Sequence, residues 1–150
     1  MIRRGMAIWH GTIECGDGAI STESGAIHDL PYSYRARYGD APGTNPEELL
    51  GAAHAGCFTM ALARELAKLG FAPKVLEAVS EVKFEKVDSG FAITGVLLKL
   101  LADIPQIDDR QFLEIARHAK TVCPLLKLIK APIDLDVSLE GAGCASLYRM

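Results

Sequence analysis

The stretch NPEELLGAAHAGCFTMALARELAKLG, residues 45–70, limits more than any other what this chain can fold into. Asn45 can cap a helix, Pro46 sits at the first helical position where its missing N–H is not needed, and Glu48 completes an Asn-x-x-Glu capping box. Gly70 and Pro73 mark a stop, so the helix is expected from Pro46 to about Leu69. Few charges precede Arg64, and the interior is rich in alanine, glycine and apolar residues. A helix so weakly amphipathic is expected to be surrounded by protein rather than laid on a surface. Gly51 and Gly56 each cost about 1 kcal/mol relative to alanine in a helix interior, and close approach of another backbone would offset that cost.

The flanking sequence supplies the material to wrap it. Before the helix, the turn signals CGDG, ESGA, LPY, YGD and APGTNP punctuate segments such as MAIWHGTI and YSYRARY, which read as short strands or hairpins followed by a loop. After it, VSEVKFEKV alternates, with Ser80, Val82, Phe84 and Lys86 on one face and Glu81, Lys83 and Glu85 on the other. Asp88-Ser89-Gly90 is a turn, and FAITGVLLKLLAD is the hairpin partner. Beyond Pro105, Asp108 and Gln111 have cap spacing, and Phe112, Ala116, Ala119 and Cys123 recur at helical intervals up to Cys123-Pro124. PLLKLIKA suggests one or two further helical turns, Pro132 breaks them, and IDLDVSLE reads as a strand with Ile133, Leu135, Val137 and Leu139 inward. The tail from 141 to 150 reads as loosely packed, which makes Cys144 peripheral. This order of elements gives a single α+β domain over 1–150 rather than a doubly wound parallel sheet.

Composition narrows the function. At 150 residues the chain can bury roughly 70% of its unfolded surface without metal or disulfide support. A net charge of -3 gives no general attraction to nucleic acid. The first residues carry two arginines but no continuous apolar run, so neither a signal peptide nor a membrane span is read and the cytoplasm is the expected location. Cys15, Cys57, Cys123 and Cys144 are too widely spaced for a disulfide scaffold, and in a reducing compartment a disulfide among them would be catalytic or redox-sensing.

Inert packing is a common use of a cysteine such as Cys57 in an apolar helix. At about 100° per residue, Glu47 and His54 share a face, Cys57 lies about 60° from His54, and Glu48 points away from Cys57. Glu47 is therefore the better placed glutamate, although about 15 Å of helix rise separates it from the cysteine. A His-x-x-Cys pair with Cys123 or His118 could ligate zinc, but the closely spaced pairs of structural zinc sites are missing. His54 could serve a Cys-His hydrolase as base, yet no third orienting residue declares itself. Cys123, between a helix end and Pro124, could meet free amides that lower a thiol pKa. Residue chemistry thus leaves two candidate cysteines without assigning attacker and resolver.

The layout as a whole resembles the osmotically inducible protein C and organic hydroperoxide resistance protein (OsmC/Ohr) family, and within it the osmotically inducible branch. The resemblance covers nearly all of residues 5 to 140, in GMAIWHGTI, STESG, PYSYRARY, GTNPEELLGAAHAGCFTMAL, KVDSGFAIT and AKTVCPLLKLIKAPIDLDV. It implies an α+β fold in which long central helices are wrapped by antiparallel sheet in an intertwined homodimer. It also implies thiol-dependent peroxidase activity without metal or cofactor, with Cys57 peroxidatic, Cys123 resolving, Arg37 stabilising thiolate and peroxide, and Glu47 orienting Arg37. The implied substrates are organic or fatty-acid hydroperoxides, and the implied reductant is an external dithiol such as a lipoyl-bearing protein. Phe58, Met60, Leu125 and Leu126 could line a pocket for an apolar tail, although core packing is the commoner use of such residues. Cys15 and Cys144 match no motif. A redox sensor or stress-response binding protein of the same fold is the alternative.

Overall fold

The computed structural model describes residues 1–139, and the readings of the tail and of Cys144 lie outside them. The chain forms two compact units, Met1–Leu49 and a second beginning at Leu50.

In the first unit, β1 (Gly5–His10), β2 (Asp17–Thr22) and β3 (Leu30–Ser33) make an antiparallel sheet in that order. The aromatic segment YSYRARY is not strand throughout: β3 ends at Ser33 and a short helix, α1 (Tyr34–Tyr38), follows. Ser33 Oγ accepts a hydrogen bond from Ala36 N at 3.0 Å. That N-cap, followed by arginine and alanine, outweighs the strand preference of the tyrosines.

Helix α2 (Pro46–Lys68) has the bounds expected from its signals to within a residue. Asn45 Oδ1 accepts from Glu48 N at 2.8 Å, but the Glu48 carboxylate accepts from Thr44 Oγ1 at 2.9 Å instead of closing the box. On its buried side α2 presents Gly51, His54, Phe58, Leu62, Glu65 and Leu66, at spacings of three, four or one residue. Ala52, Ala53, Gly56, Met60 and Ala67 stay exposed on the helix that the sequence marked for enclosure.

In the second unit β4 (Val75–Val87) and β5 (Gly90–Asp103) form the hairpin, closed by Asp88-Ser89. Gly90, at φ +125°, takes a conformation that a side chain would disfavour. A bulge at Lys83/Phe84 leaves Thr94 as the extra residue of β5. Both halves of the Asp108–Gln111 capping box are present at the start of α3 (Asp109–Val122). A single 3₁₀ turn, Leu125–Lys127, precedes β6 (Ile133–Leu139), whose odd-numbered residues are the sheltered ones. β6 lies beside β5 and parallel to it, so this sheet is mixed rather than wholly antiparallel. The crossover through α3 reverses the chain before β6 begins, as parallel neighbours require. Phe58, Leu62 and Leu66 meet Leu98, Leu100 and Ala102 of β5 and Phe112, Ile115, Ala116 and Ala119 of α3 in one core. Burying each of the larger side chains contributes roughly 1.5–3 kcal/mol, and together they clamp α2 and α3 on the sheet. Among the described residues no helix is long and apolar enough to cross a membrane.

Candidate active site

That clamp brings together two cysteines far apart in sequence. Cys57 lies mid-way along α2, and Cys123 is the C-cap of α3, its N–H bonded to Ala119 O. Their sulfurs are 2.9 Å apart as free thiols, with Cys123 donating to Cys57. The two differ in exposure. Cys57 is partly open, whereas Cys123 is fully buried.

Burial pushes the Cys123 thiol up, and its bond to Cys57 adds to the effect. The amides of Leu126 and Leu125 pull in the opposite direction, as its place at the helix end led one to expect, but they are outweighed. A pair of thiols in this contact can interconvert with a disulfide by losing two electrons and two protons.

In the first unit Arg37, from α1, grips Glu47 on the first turn of α2. Arg37 Nη2 donates to Glu47 Oε1 at 2.6 Å and Arg37 Nε to Oε2 at 3.1 Å. This two-bond fork holds a planar cation in one orientation, as a lysine could not. The side chain of Glu47 is 11% exposed and that of Arg37 34%. The Arg37 pKa is raised chiefly by the hydrogen bond to Glu47, against an opposing effect of burial, so the guanidinium is charged at every working pH. Arg37 also stands over the Tyr38 ring, 5.4 Å from its centroid. Together with Trp9, Ile13, Tyr32, Tyr34, Tyr38 and others it lines a cavity of about 110 Å³.

The four apolar residues considered for a pocket separate. Phe58 is core, Met60 is 76% exposed, and Leu126 packs against the core from outside. Leu125 does line a groove of about 310 Å³, with Leu50, Ile93, Leu128, Ile129 and Lys130. It begins two residues beyond Cys123. Cys15 is exposed in the loop after β1, its N–H near Thr12 Oγ1 at 3.4 Å. Among the described residues no three His, Cys, Asp or Glu side chains converge to hold a metal ion.

Sequence reasoning left His54 open and overlooked its partner. The imidazole is fully buried, with Nδ1 2.7 Å from Ser80 Oγ on β4. A serine on the inward face of an alternating strand was the available signal, because a hydroxyl turned inward needs a partner.

A family model described as OsmC-like protein matches residues 39–138. Peroxiredoxin OsmC of Escherichia coli is 45% identical over 139 residues, 93% of this chain and 97% of that protein. The organic hydroperoxide resistance protein of Xanthomonas axonopodis pv. citri is 28% identical, over 87% of this chain and 92% of its own. An OsmC-like protein of unknown function from Vibrio cholerae superposes with a TM-score of 0.76 at 13% identity, covering 92% and 99% of the two chains, which is a likeness of fold.

Proposed function

The chain belongs to the OsmC-like family, and on that premise we propose that it is a thiol-dependent peroxidase that reduces organic hydroperoxides to alcohols. The 2.9 Å contact between an accessible and a buried thiol carries the reading. The Cys57 thiolate attacks one oxygen of the hydroperoxide; the O–O bond breaks, the alkoxide leaves with a proton as alcohol, and Cys57 becomes a sulfenic acid. Cys123 then attacks the Cys57 sulfur, expels water and closes the disulfide. An external dithiol returns two electrons and two protons by exchange. Arg37, held by Glu47, serves to favour the thiolate and to take up charge developing on the peroxide oxygens.

The apolar groove that starts at Leu125 supports a substrate with a hydrocarbon tail. Steady-state assays with dihydrolipoamide as reductant are therefore expected to give a kcat/KM for cumene hydroperoxide roughly 10- to 200-fold above that for hydrogen peroxide, the range that one or a few apolar contacts confer. A burst that stops at one equivalent of peroxide per chain would instead mark a sensor. Equal rates for both peroxides would remove the apolar site from the reading.

The bare side of α2, with Met60 76% exposed amid alanines and a glycine, supports a homodimer in which a second chain completes the enclosure. Sedimentation equilibrium at micromolar concentration is expected to give twice the chain mass, and Met60→Glu to shift the protein toward the monomer. A monomer throughout would overturn the dimer.

A further inference from the structure

About one turn and nearly two turns before Cys57, His54 and Gly51 on the buried side of α2 close on the same residue of β4. At Gly51 a Cβ would stand 2.8 Å from the carbonyl oxygen of Ser80, so helix and strand touch there with no side chain between. At His54 the contact is a hydrogen bond, Nδ1 to Ser80 Oγ at 2.7 Å. The opposite ring nitrogen, Nε2, is sealed from solvent and has no hydrogen-bond partner among the described residues. Packing alone does not select such a residue, since leucine would fill space without leaving a polar atom unpaired. What imidazole adds is direction: its bond to Ser80 resists both rotation of α2 about its axis and sliding along β4. Burial, and after it the charge of Lys120, lower the His54 pKa and keep the ring neutral, so the bond is held without placing a cation in the core. Lys120 itself stands one turn before Cys123, with its ammonium on Ile133 O.

We infer that His54 is a positioning residue for disulfide closure: through Ser80 it holds the next turn of α2 in the register that keeps Cys57 Sγ within reach of Cys123 Sγ. His54 makes no hydrogen bond to either sulfur and acts through the helix. The inference rests on the peroxidase reading above. In that reading the Cys57 sulfenic acid has two fates. Attack by Cys123 forms the S–S bond and releases water, whereas a second hydroperoxide oxidises Cys57 to sulfinic acid and leaves as alcohol. The ratio of the two products measures how promptly Cys123 arrives. A looser α2 gives more sulfinic acid, which lower stability of the folded protein does not by itself produce.

His54→Leu, His54→Asn and Ser80→Ala are each treated with a small excess of cumene hydroperoxide, quenched with a thiol-blocking reagent and mapped by peptide mass. Loss of one hydrogen bond is expected to raise the ratio of sulfinic Cys57 to Cys57–Cys123 disulfide about fivefold in His54→Leu and Ser80→Ala. The double variant His54→Leu/Ser80→Ala should be no worse than either alone. His54→Asn, which returns a polar group near the position of Nδ1, should bring the ratio back to within about twofold of wild type. A wild-type ratio in folded Ser80→Ala or His54→Leu, whatever the change in melting temperature, overturns the inference. Should His54→Leu not fold, Ser80→Ala decides alone. If the wild-type protein forms no Cys57–Cys123 disulfide, the peroxidase reading itself has failed, a result distinct from an unchanged ratio in the variants.

Discussion

Replacing Cys57 by serine is expected to lower hydroperoxide turnover by at least about 10³-fold, the scale seen when an enzyme loses its nucleophile. A serine hydroxyl is not ionised near neutral pH, and no sulfenic acid can form on it. Cys123→Ser should behave differently. The first equivalent of peroxide is consumed, turnover then stops, and intact mass shows Cys57 carrying one and then two added oxygens. The asymmetry follows from the environment of each sulfur: Cys123 is fully buried and its pKa is raised by that burial, so it is a poor attacker until the sulfenic acid lies against it. Cys15→Ser, altering an exposed thiol in the loop after β1, is the control and should leave turnover unchanged. If Cys57→Ser instead retained one round of peroxide reduction and Cys123→Ser retained none, the order of the two cysteines would be reversed.

Much of the fold was legible because its signals are local. Asn45, Pro46 and Gly70 bounded α2, Asp108 and Gln111 capped α3, and the alternation around Ser80–Lys86 with its Asp-Ser-Gly turn made the hairpin. Where a local signal was misweighed, another local one had won: the tyrosines of YSYRARY suggested strand, but the Ser33 cap starts α1. The direction of β6 was less accessible, since parallel or antiparallel placement beside β5 is settled by how α3 packs and not by the strand's own residues.

The site shows the same division. The helical wheel separated Glu47 from Glu48, and each then found a different partner, Arg37 for the first and Thr44 for the second. Choosing between Cys57 and Cys123 from chemistry alone failed for a physical reason. The amides near Cys123 are visible in sequence, but the desolvation that outweighs them arises only when the folded chain buries the sulfur. The His54–Ser80 bond joins residues whose separate patterns said only which face of a helix or a strand each occupies.

Arg37→Ala is expected to lower kcat/KM by about 10²–10³-fold, the cost typical of removing one preorganised donor to a developing oxyanion. Glu47→Gln tests the same device from its other end. Glutamine keeps the shape of the side chain but cannot accept both guanidinium bonds as a carboxylate does, so the fork of 2.6 and 3.1 Å is lost while Arg37 remains charged. A smaller loss, roughly tenfold, should therefore follow. Arg37→Lys should resemble Arg37→Ala more than wild type, because an ammonium supplies charge without the planar fork. Stability is a second, separable readout. Breaking a buried ion pair costs about 3–5 kcal/mol, but Arg37 is one-third exposed, which reduces the expected loss in Arg37→Ala to about 1–2 kcal/mol by chemical denaturation. Glu47→Gln activity equal to wild type would end the orienting role for Glu47, and Arg37→Ala activity equal to wild type would remove Arg37 from the chemistry. A loss of stability in these variants without loss of turnover would leave the pair as a brace between α1 and the start of α2.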